Sequence, residues 1–350
     1  GFNGGETAFT HLYVKAIYEA CAALNVSCAI LYMDLVSAFA NMHRHIVFDS
    51  DEGDEAWICK LRAQGFCDQE IHDIRDTFMQ FSNWEVDKDG KLIGAQGDSA
   101  MQVNMSSSLL SNNWMSTEGI EGVFVVNKGS MAGTPMADLL FTISMSRILF
   151  VYRASLKSDD LGSTLAINGN EHHVHDVSFV DDCAQPVIAK ASDLVAKATA
   201  IASIAYNVFA CYGMELNFSP GKSECVARFA GLGKKQAARD LCTNGNESSF
   251  NTKDGSEIKL RFVKTYKHVG THNPVDLNMG HEVSIRCGSM LNGSLRMRKN
   301  ILRNECIDVN KRLFVMQVYL FTKGTFQCST WSDLTPSAAK RFHSCIMQLY

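Results

Sequence analysis

The sequence predicts an α+β fold in which a sheet layer is backed by helices. Three observations carry that prediction. The runs "SCAILYMDL" (27–35) and "HDVSFVDDCAQPV" (175–187) are short, apolar and bounded by breaks, as buried strands are. Apolar residues recur at helical spacing over 9–24 and again over 194–212. The pairs Asp89-Gly90 and Asp254-Gly255 have hairpin-turn chemistry. Helices, hairpins and strand pairs are mixed along the chain without a regular βα alternation, which favours an α+β layer.

Taken in order, Phe9, Leu12, Tyr13, Ala16, Ile17, Ala20, Cys21 and Leu24 form one helix face, and a turn leads to the first buried strand. An acidic loop over 49–55 precedes two amphipathic helices, "AWICKLRAQ" and "EIHDIRDTFMQF". A hairpin follows in "EVDKDGKLIG", then a polar Ser/Asn-rich stretch to Glu121 and the strand-like "GVFVV". Thr134-Pro135 caps a long apolar helix that reaches about Leu156, because Pro suits the first helical position and Thr accepts a backbone N–H. A strand-turn-strand surrounds Asp181-Asp182. The helix over 194–212 stops at Gly213, a second hairpin is centred on Asp254-Gly255, and the last sixty-odd residues read as helices.

Composition narrows the function classes. In 350 residues, 46% hydrophobic and 20% charged is ordinary globular usage, so disordered and collagen-like classes drop out. No apolar run of bilayer length is expected, since the richest candidate, "LLFTISMSRILFVY", carries Arg147, and the reading is of no membrane partner. The chain begins with Gly1 and ends within a helical pattern, which reads as a piece of a longer protein. Its twelve cysteines include no C-x-x-C pair, so reduced thiols and an intracellular location, nucleus or cytoplasm, are expected. Net charge is -4, but the segment from Arg286 onward has a balance of +7 and the preceding residues -11. A basic flank beside an acidic body suggests phosphate binding next to a carboxylate site.

The carboxylates set the chemistry. Asp34 ends an apolar strand, and Asp181-Asp182 lie inside another. Burying a lone carboxylate costs several kcal/mol unless it is paired or bound to a cation. Two such sites invite one explanation, neighbouring strands whose acids share metal. Adjacent residues of a straight strand face opposite sides, whereas at a hairpin bend both aspartates can lean toward one site. Two Mg²⁺ ions, with Mn²⁺ as a substitute, suit oxygen ligands of this type and could activate a hydroxyl and neutralise a departing pyrophosphate. The plainer reading of the same residues is a turn pair and a helix cap.

The surrounding motifs resemble those of a reverse transcriptase, most closely the domain of retrotransposons that lack long terminal repeats. "YMDLVSAFANM" is similar to the first palm motif, which implies that Asp34 is a metal ligand and Phe39 the bulky residue under the sugar. "FVDD", 179–182, resembles the aromatic-x-Asp-Asp hairpin, implying Asp181 as a metal ligand and Asp182 as its support. "GSMAGTPMADLLF" resembles a further motif in which Gly133 and Pro135 let the backbone approach template base and incoming nucleotide. "GMELNFSPGKSE" looks like the next, placing Lys222 near the triphosphate as a donor to the leaving pyrophosphate; "YKHVG", 266–270, resembles the primer-gripping segment. "GFNGGETAF" at the start is similar to the Gly-Phe-x-x-Gly segment before the first palm motif.

The resemblance implies a right-hand polymerase: partial fingers and a palm of antiparallel sheet backed by helices over 1–285, and a helical, basic thumb-like segment over 286–350. It implies templated addition of dNTPs to a primer 3′-OH, with an RNA template and a DNA primer as partners. Ala132 replaces the family's Gln, Ala137-Asp138 its Ser-Pro, and Ala40 a common second Asp; these departures bear on fidelity and processivity more than on fold. In the family, basic fingers residues lie upstream of the matched region, so the fragment's activity is expected to depend on preceding sequence. Arg296, Arg298, Lys299 and Arg303, followed by Lys311-Arg312, are the expected duplex-contacting surface. His173 and His175 share a strand face but have no cysteine partners nearby, so surface is favoured over zinc. Two rivals remain: a noncatalytic RNA-binding relative that keeps the palm as scaffold, and another two-metal palm enzyme such as a nucleotide cyclase.

Overall fold

The computed structural model describes residues 7–36, 38–41, 54–81, 84–86, 92–94, 114–116, 122, 124–125 and 135–349. It is an α+β protein whose main sheet is mixed. In chain order the described elements are α1 (Thr7–Ala23), β1 (Ser27–Met33), α2 (Ala38–Asn41), α3 (Asp54–Ala63), α4 (Asp68–Phe81), β2 (Trp84–Val86), β3 (Leu92–Gly94), β4 (Trp114–Met115) and β5 (Phe124–Val125), of which α2 and β4 were not expected. After them come α5 (Pro135–Ser158), β6 (Ser163–Ile167), β7 (Asn170–Val174), β8 (Val177–Phe179), β9 (Asp182–Ala189) and α6 (Leu194–Cys211). The chain continues with β10 (Glu224–Arg228), α7 (Lys234–Thr243), β11 (Glu247–Asn251), β12 (Glu257–Phe262), β13 (Thr265–His268), β14 (Thr271–Pro274), α8 (Gly280–Met297), α9 (Val309–Val315), α10 (Thr322–Gly324) and α11 (Pro336–Met347). Five-residue-turn (π) segments, Arg298–Leu302 and Met316–Phe321, continue α8 and join α9 to α10.

The chain divides into two compact units. One comprises Val26–Cys225 with Phe229–Phe262; the other Gly1–Asn25, Val226–Arg228 and Val263–Tyr350. The six-stranded sheet has the order β11-β12-β10-β1-β9-β8. β1 is buried at all seven positions, as a sheet-centre strand with both faces covered must be. It pairs antiparallel with β9 from Ser27↔Ala189 to Met33↔Cys183, and β9 returns along β8. The expectation of an antiparallel sheet is corrected at one seam, where β10 and β12 run parallel through Glu224↔Arg261 and Cys225↔Phe262. A parallel pair needs a crossover, and α7 with β11 supplies it. α7 carries so few apolar residues ("KKQAARDLCT") that its periodicity is faint in the sequence.

α6 packs against α5, β1 and β9. Ala198, Ala202 and Ala205 are fully buried, and their small side chains let the helix lie close to the sheet. Of the described helices, α6 alone has the length and hydropathy of a bilayer span, although half of it is buried within the protein. The most apolar long run is therefore here rather than in α5, and it serves as a core helix. Lys197 bridges from α6 to the carbonyls of Gly162 (2.6 Å) and Ile188 (3.0 Å). Arg153 of α5 grips buried Asp176 through both carboxylate oxygens, at 2.6 and 2.9 Å, and so anchors the segment entering β8. None of the twelve cysteines is in a disulfide.

In the other unit, Val283, Cys287, Met290, Ala338 and Cys345 form a core with Phe321, Trp331 and Phe342 packed around it. Thr335 caps α11 by accepting from Ala338 N, with Pro336 at the first position. The β13–β14 hairpin turns through Val269 and Gly270, both at positive φ (44° and 83°), as a two-residue turn of the primed type requires.

Candidate active site

The chain leaves β1 at Met33, and the next residue is Asp34. Its backbone is held on both sides: Asp34 N donates to Ser223 Oγ (3.0 Å), and Asn217 N donates to Asp34 O (2.9 Å). Val36 N reaches Glu215 O at 2.8 Å, and Leu35 bridges Leu216. The stretch after β1 is thereby zipped to the loop that follows α6. That loop is rigid for local reasons. Asn217 Oδ1 accepts from Ser219 N, Ser219 O from Lys222 N, Glu224 Oε1 from Gly221 N, and Asn217 O from Ser223 N. Gly221 sits at φ 79°, which a residue with a side chain adopts only with strain. Arg261 of β12 clamps the loop by donating to Phe218 O at 2.6 Å.

The turn aims Lys222 at the first acid. Its Nζ lies 3.4 Å from Asp34 Oδ1, with about half of the lysine and a quarter of the aspartate side chain exposed. A pair this exposed adds at most about 1 kcal/mol to stability. Its consequence is electrostatic: the ammonium offsets the carboxylate and competes with any other cation for it.

The second acidic site is a hairpin tip. Phe179 pairs with Asp182, leaving Val180 and Asp181 as a two-residue turn. Val180 has φ 57°, a conformation that costs a β-branched residue on the order of 1–3 kcal/mol. The β1–β9 pairing ends at Met33↔Cys183, so Asp34, which follows Met33, and Asp182, which precedes Cys183, come at the same end of two neighbouring strands. Cys183, next in β9, points the other way into the core, where burial first and the Asp176 charge second push its thiol pKa well up.

Of the remaining expected site residues, Phe39 and Pro135 lie on helices. Phe39 lies in α2 with its ring stacked on Phe141 of α5, centroids 4.5 Å apart and planes at 28°, so it packs the short helix onto the long one. Pro135 is the first residue of α5, as its lack of an N–H favours. Gly133 lies outside the described residues, as do Ala132 and Thr134. His173 and His175 are exposed, with ring centroids 6.4 Å apart.

Carboxylate oxygens such as those of Asp34, just after β1, and of Asp181 and Asp182 at the β8–β9 tip are the donor type that a hard divalent cation takes. Among the described residues, no three His, Cys, Asp or Glu side chains converge closely enough to hold a metal as they stand. Asp34 Oδ1 is instead in contact with Lys222 Nζ. Sequence reading missed Ser223 and Arg261, the residues that hold Asp34 and its loop. Ser223 and Asn217 both lie within "GMELNFSPGKSE", where no local signal marks the serine's bond to Asp34. No protein-family model matches this chain, and comparison with curated proteins finds no match either.

Proposed function

We propose that this chain is the catalytic part of an RNA-directed DNA polymerase, extending a DNA primer on an RNA template with dNTPs. The observation that carries the reading is the β1–β9 register, whose last pair, Met33↔Cys183, is followed by Asp34 on one strand and preceded by Asp182 on the other, with Asp181 in the adjoining turn. Mg²⁺, or Mn²⁺ in its place, held by Asp34 and Asp181 with Asp182 in support would supply charge neutralisation for an attacking 3′-hydroxyl and a departing pyrophosphate. Lys222, released from Asp34, is in reach of the same site and serves as proton donor to the leaving group. The loop bonds around Asn217, Ser223 and Arg261 hold this lysine and Asp34 in fixed relation, and positioning of that kind supplies much of the catalysis in phosphoryl transfer. Phe39, Gly133 and Pro135 keep the sugar-side and template-side roles that the motif resemblance implies. Exposed Arg296, Arg298, Lys299 and Arg303 are the duplex-contacting cations, whereas half-buried Arg312 donates to Leu302 O at 3.2 Å and is committed to structure.

Primer extension on an RNA template in Mg²⁺ tests the reading. Mg²⁺-dependent product that Asp181→Asn abolishes supports it, and product formed without template points instead to a nucleotide cyclase-like enzyme. The Lys222–Asp34 contact favours a second reading, an RNA-binding scaffold in which the ammonium permanently replaces metal. RNA binding with no extension in either Mg²⁺ or Mn²⁺ selects that alternative.

A further inference from the structure

Cavities outside the acid site differ in how far their linings select a ligand. The groove of about 800 Å³ bounded by α6, α7 and β11 mixes Asp240 and Glu247 with Lys259, so its charge favours no ligand class. A cavity of about 340 Å³ in the C-terminal unit is more selective. It is lined by Arg286, Ser289, Thr322, Lys323 and Phe326: two cations, two hydroxyls, one aromatic ring and no carboxylate.

The parts of this cavity are built in. Arg286 is fixed by Glu282 Oε1 (2.5 Å) and Gly270 O (2.6 Å), and its guanidinium lies over the Phe326 ring, 4.8 Å from the centroid. Phe326 itself is 41% exposed, so the ring still offers surface for stacking. Thr322 Oγ1 donates to Val318 O at 2.7 Å, which leaves its oxygen lone pairs as acceptors. Lys323 Nζ rests on the Tyr319 ring, 3.9 Å from its centroid, with ammonium hydrogens still to give. Beside it the helices are close-packed: the Met290 side chain fills the space at Gly324, and Leu320 that at Gly293. The π segment Met316–Phe321 ends immediately before Thr322, and its wider turn rotates Thr322 and Lys323 relative to an unbroken α-helix. Such turns recur at functional sites.

The geometry points to a binding site for a nucleoside monophosphate unit, with the base on Phe326, the phosphate at Lys323 and Ser289, and a sugar hydroxyl on Thr322. Cations and a ring face without polar groups aimed at base edges make the site sequence-tolerant. A free nucleotide and a nucleotide within a single strand present the same chemistry. The site does not rest on the polymerase reading, because no acid of that reading contributes to it.

Equilibrium binding to the intact chain with AMP, inorganic phosphate, adenosine and a 5′-phosphorylated single-stranded RNA octamer tests it. AMP is expected to bind at least about tenfold more tightly than phosphate or adenosine alone. Phe326→Ala should weaken AMP about tenfold or more, the loss of one base–ring stack, and leave phosphate binding unchanged. Lys323→Ala should weaken both. Phe326→Trp, which keeps a ring face, should bind at least as tightly as the unaltered chain and guards against an effect of misfolding. A tighter octamer than AMP, with the same Phe326→Ala loss, assigns the site to a strand; the reverse order assigns it to a free nucleotide. Equal binding of AMP and phosphate, or AMP binding indifferent to both Phe326→Ala and Lys323→Ala, overturns the proposal.

Discussion

At the scale of single residues, two ionisable contacts make opposite kinds of prediction. The Lys222–Asp34 pair is exposed enough that Lys222→Met should leave thermal stability nearly unchanged. On the polymerase reading the same substitution removes a proton donor and should cut extension by roughly 10²-fold or more, so a stability assay and an extension assay on one variant separate folding from chemistry. His268 behaves otherwise. It is 1% exposed, and desolvation first, then the edge-on His11 ring 5.7 Å away, push its pKa down to about 3. His11 is lowered too, chiefly by burial, against an Asn273 hydrogen bond and the buried Glu282 charge that raise it, while Arg286 lowers it further. A histidine kept neutral in the folded state gains a proton on unfolding at any pH between its folded and unfolded values. Stability should therefore fall as pH drops from about 6.5 toward 3, by up to roughly 1.4 kcal/mol per pH unit for one such group, and level off below. Denaturant titrations across that window, compared with His268→Gln, measure the share that His268 carries; an unchanged slope in the variant would sink the assignment.

At the scale of elements, the joints between helices and hairpins carry the strain. The corner between α3 and α4 passes so close to the turn before β12 that a Cβ on Gly65 would lie 2.5 Å from the Lys253 carbonyl group, and Gly65 has φ 88°. Lys253 completes this joint with its ammonium over the Phe66 ring (4.3 Å) and an ion pair to Glu70, whose carboxyl is held below its usual pKa mainly by that lysine. Gly65→Ala combines a left-handed backbone with a collision against main chain that cannot rotate away. It should cost roughly 2–4 kcal/mol, seen as a lower denaturation midpoint at unchanged m. Lys253→Met loses both the ion pair and the cation over the ring, keeps an apolar side chain against Phe66, and should cost about 1 kcal/mol. Hairpins were unevenly legible. Asp254-Gly255 announced the β11–β12 turn, with Gly255 at φ 86°. Asn168-Gly169, at φ 53° and 79°, joins β6 to β7 as a turn pair of the same kind.

At the scale of the whole molecule, the acid site joins segments separated by nearly 190 residues, so its predictions concern the chain as a unit. Asp34→Asn and Asp181→Asn should each abolish Mg²⁺-dependent extension while leaving the folded fraction intact, because neither acid is in the packed core. An extension rate unaffected by either substitution would remove the polymerase reading. The amino-acid order by itself determined most helices and strands, since periodicity, Pro135 at a helix start and glycines at turns are local signals readable within ten residues. It also marked Asp34, Asp181 and Asp182 as unusual, because acids among apolar strand residues are costly wherever they fold. Only the tertiary structure decided that β10 and β12 run parallel, that the Met33↔Cys183 pair brings Asp34 and Asp182 to one end of neighbouring strands, and that Ser223 and Arg261 hold the loop presenting Lys222. Register and cross-strand contact depend on which distant segments share a sheet, and that choice is made by burial of the whole set of apolar faces at once rather than by any short stretch of residues.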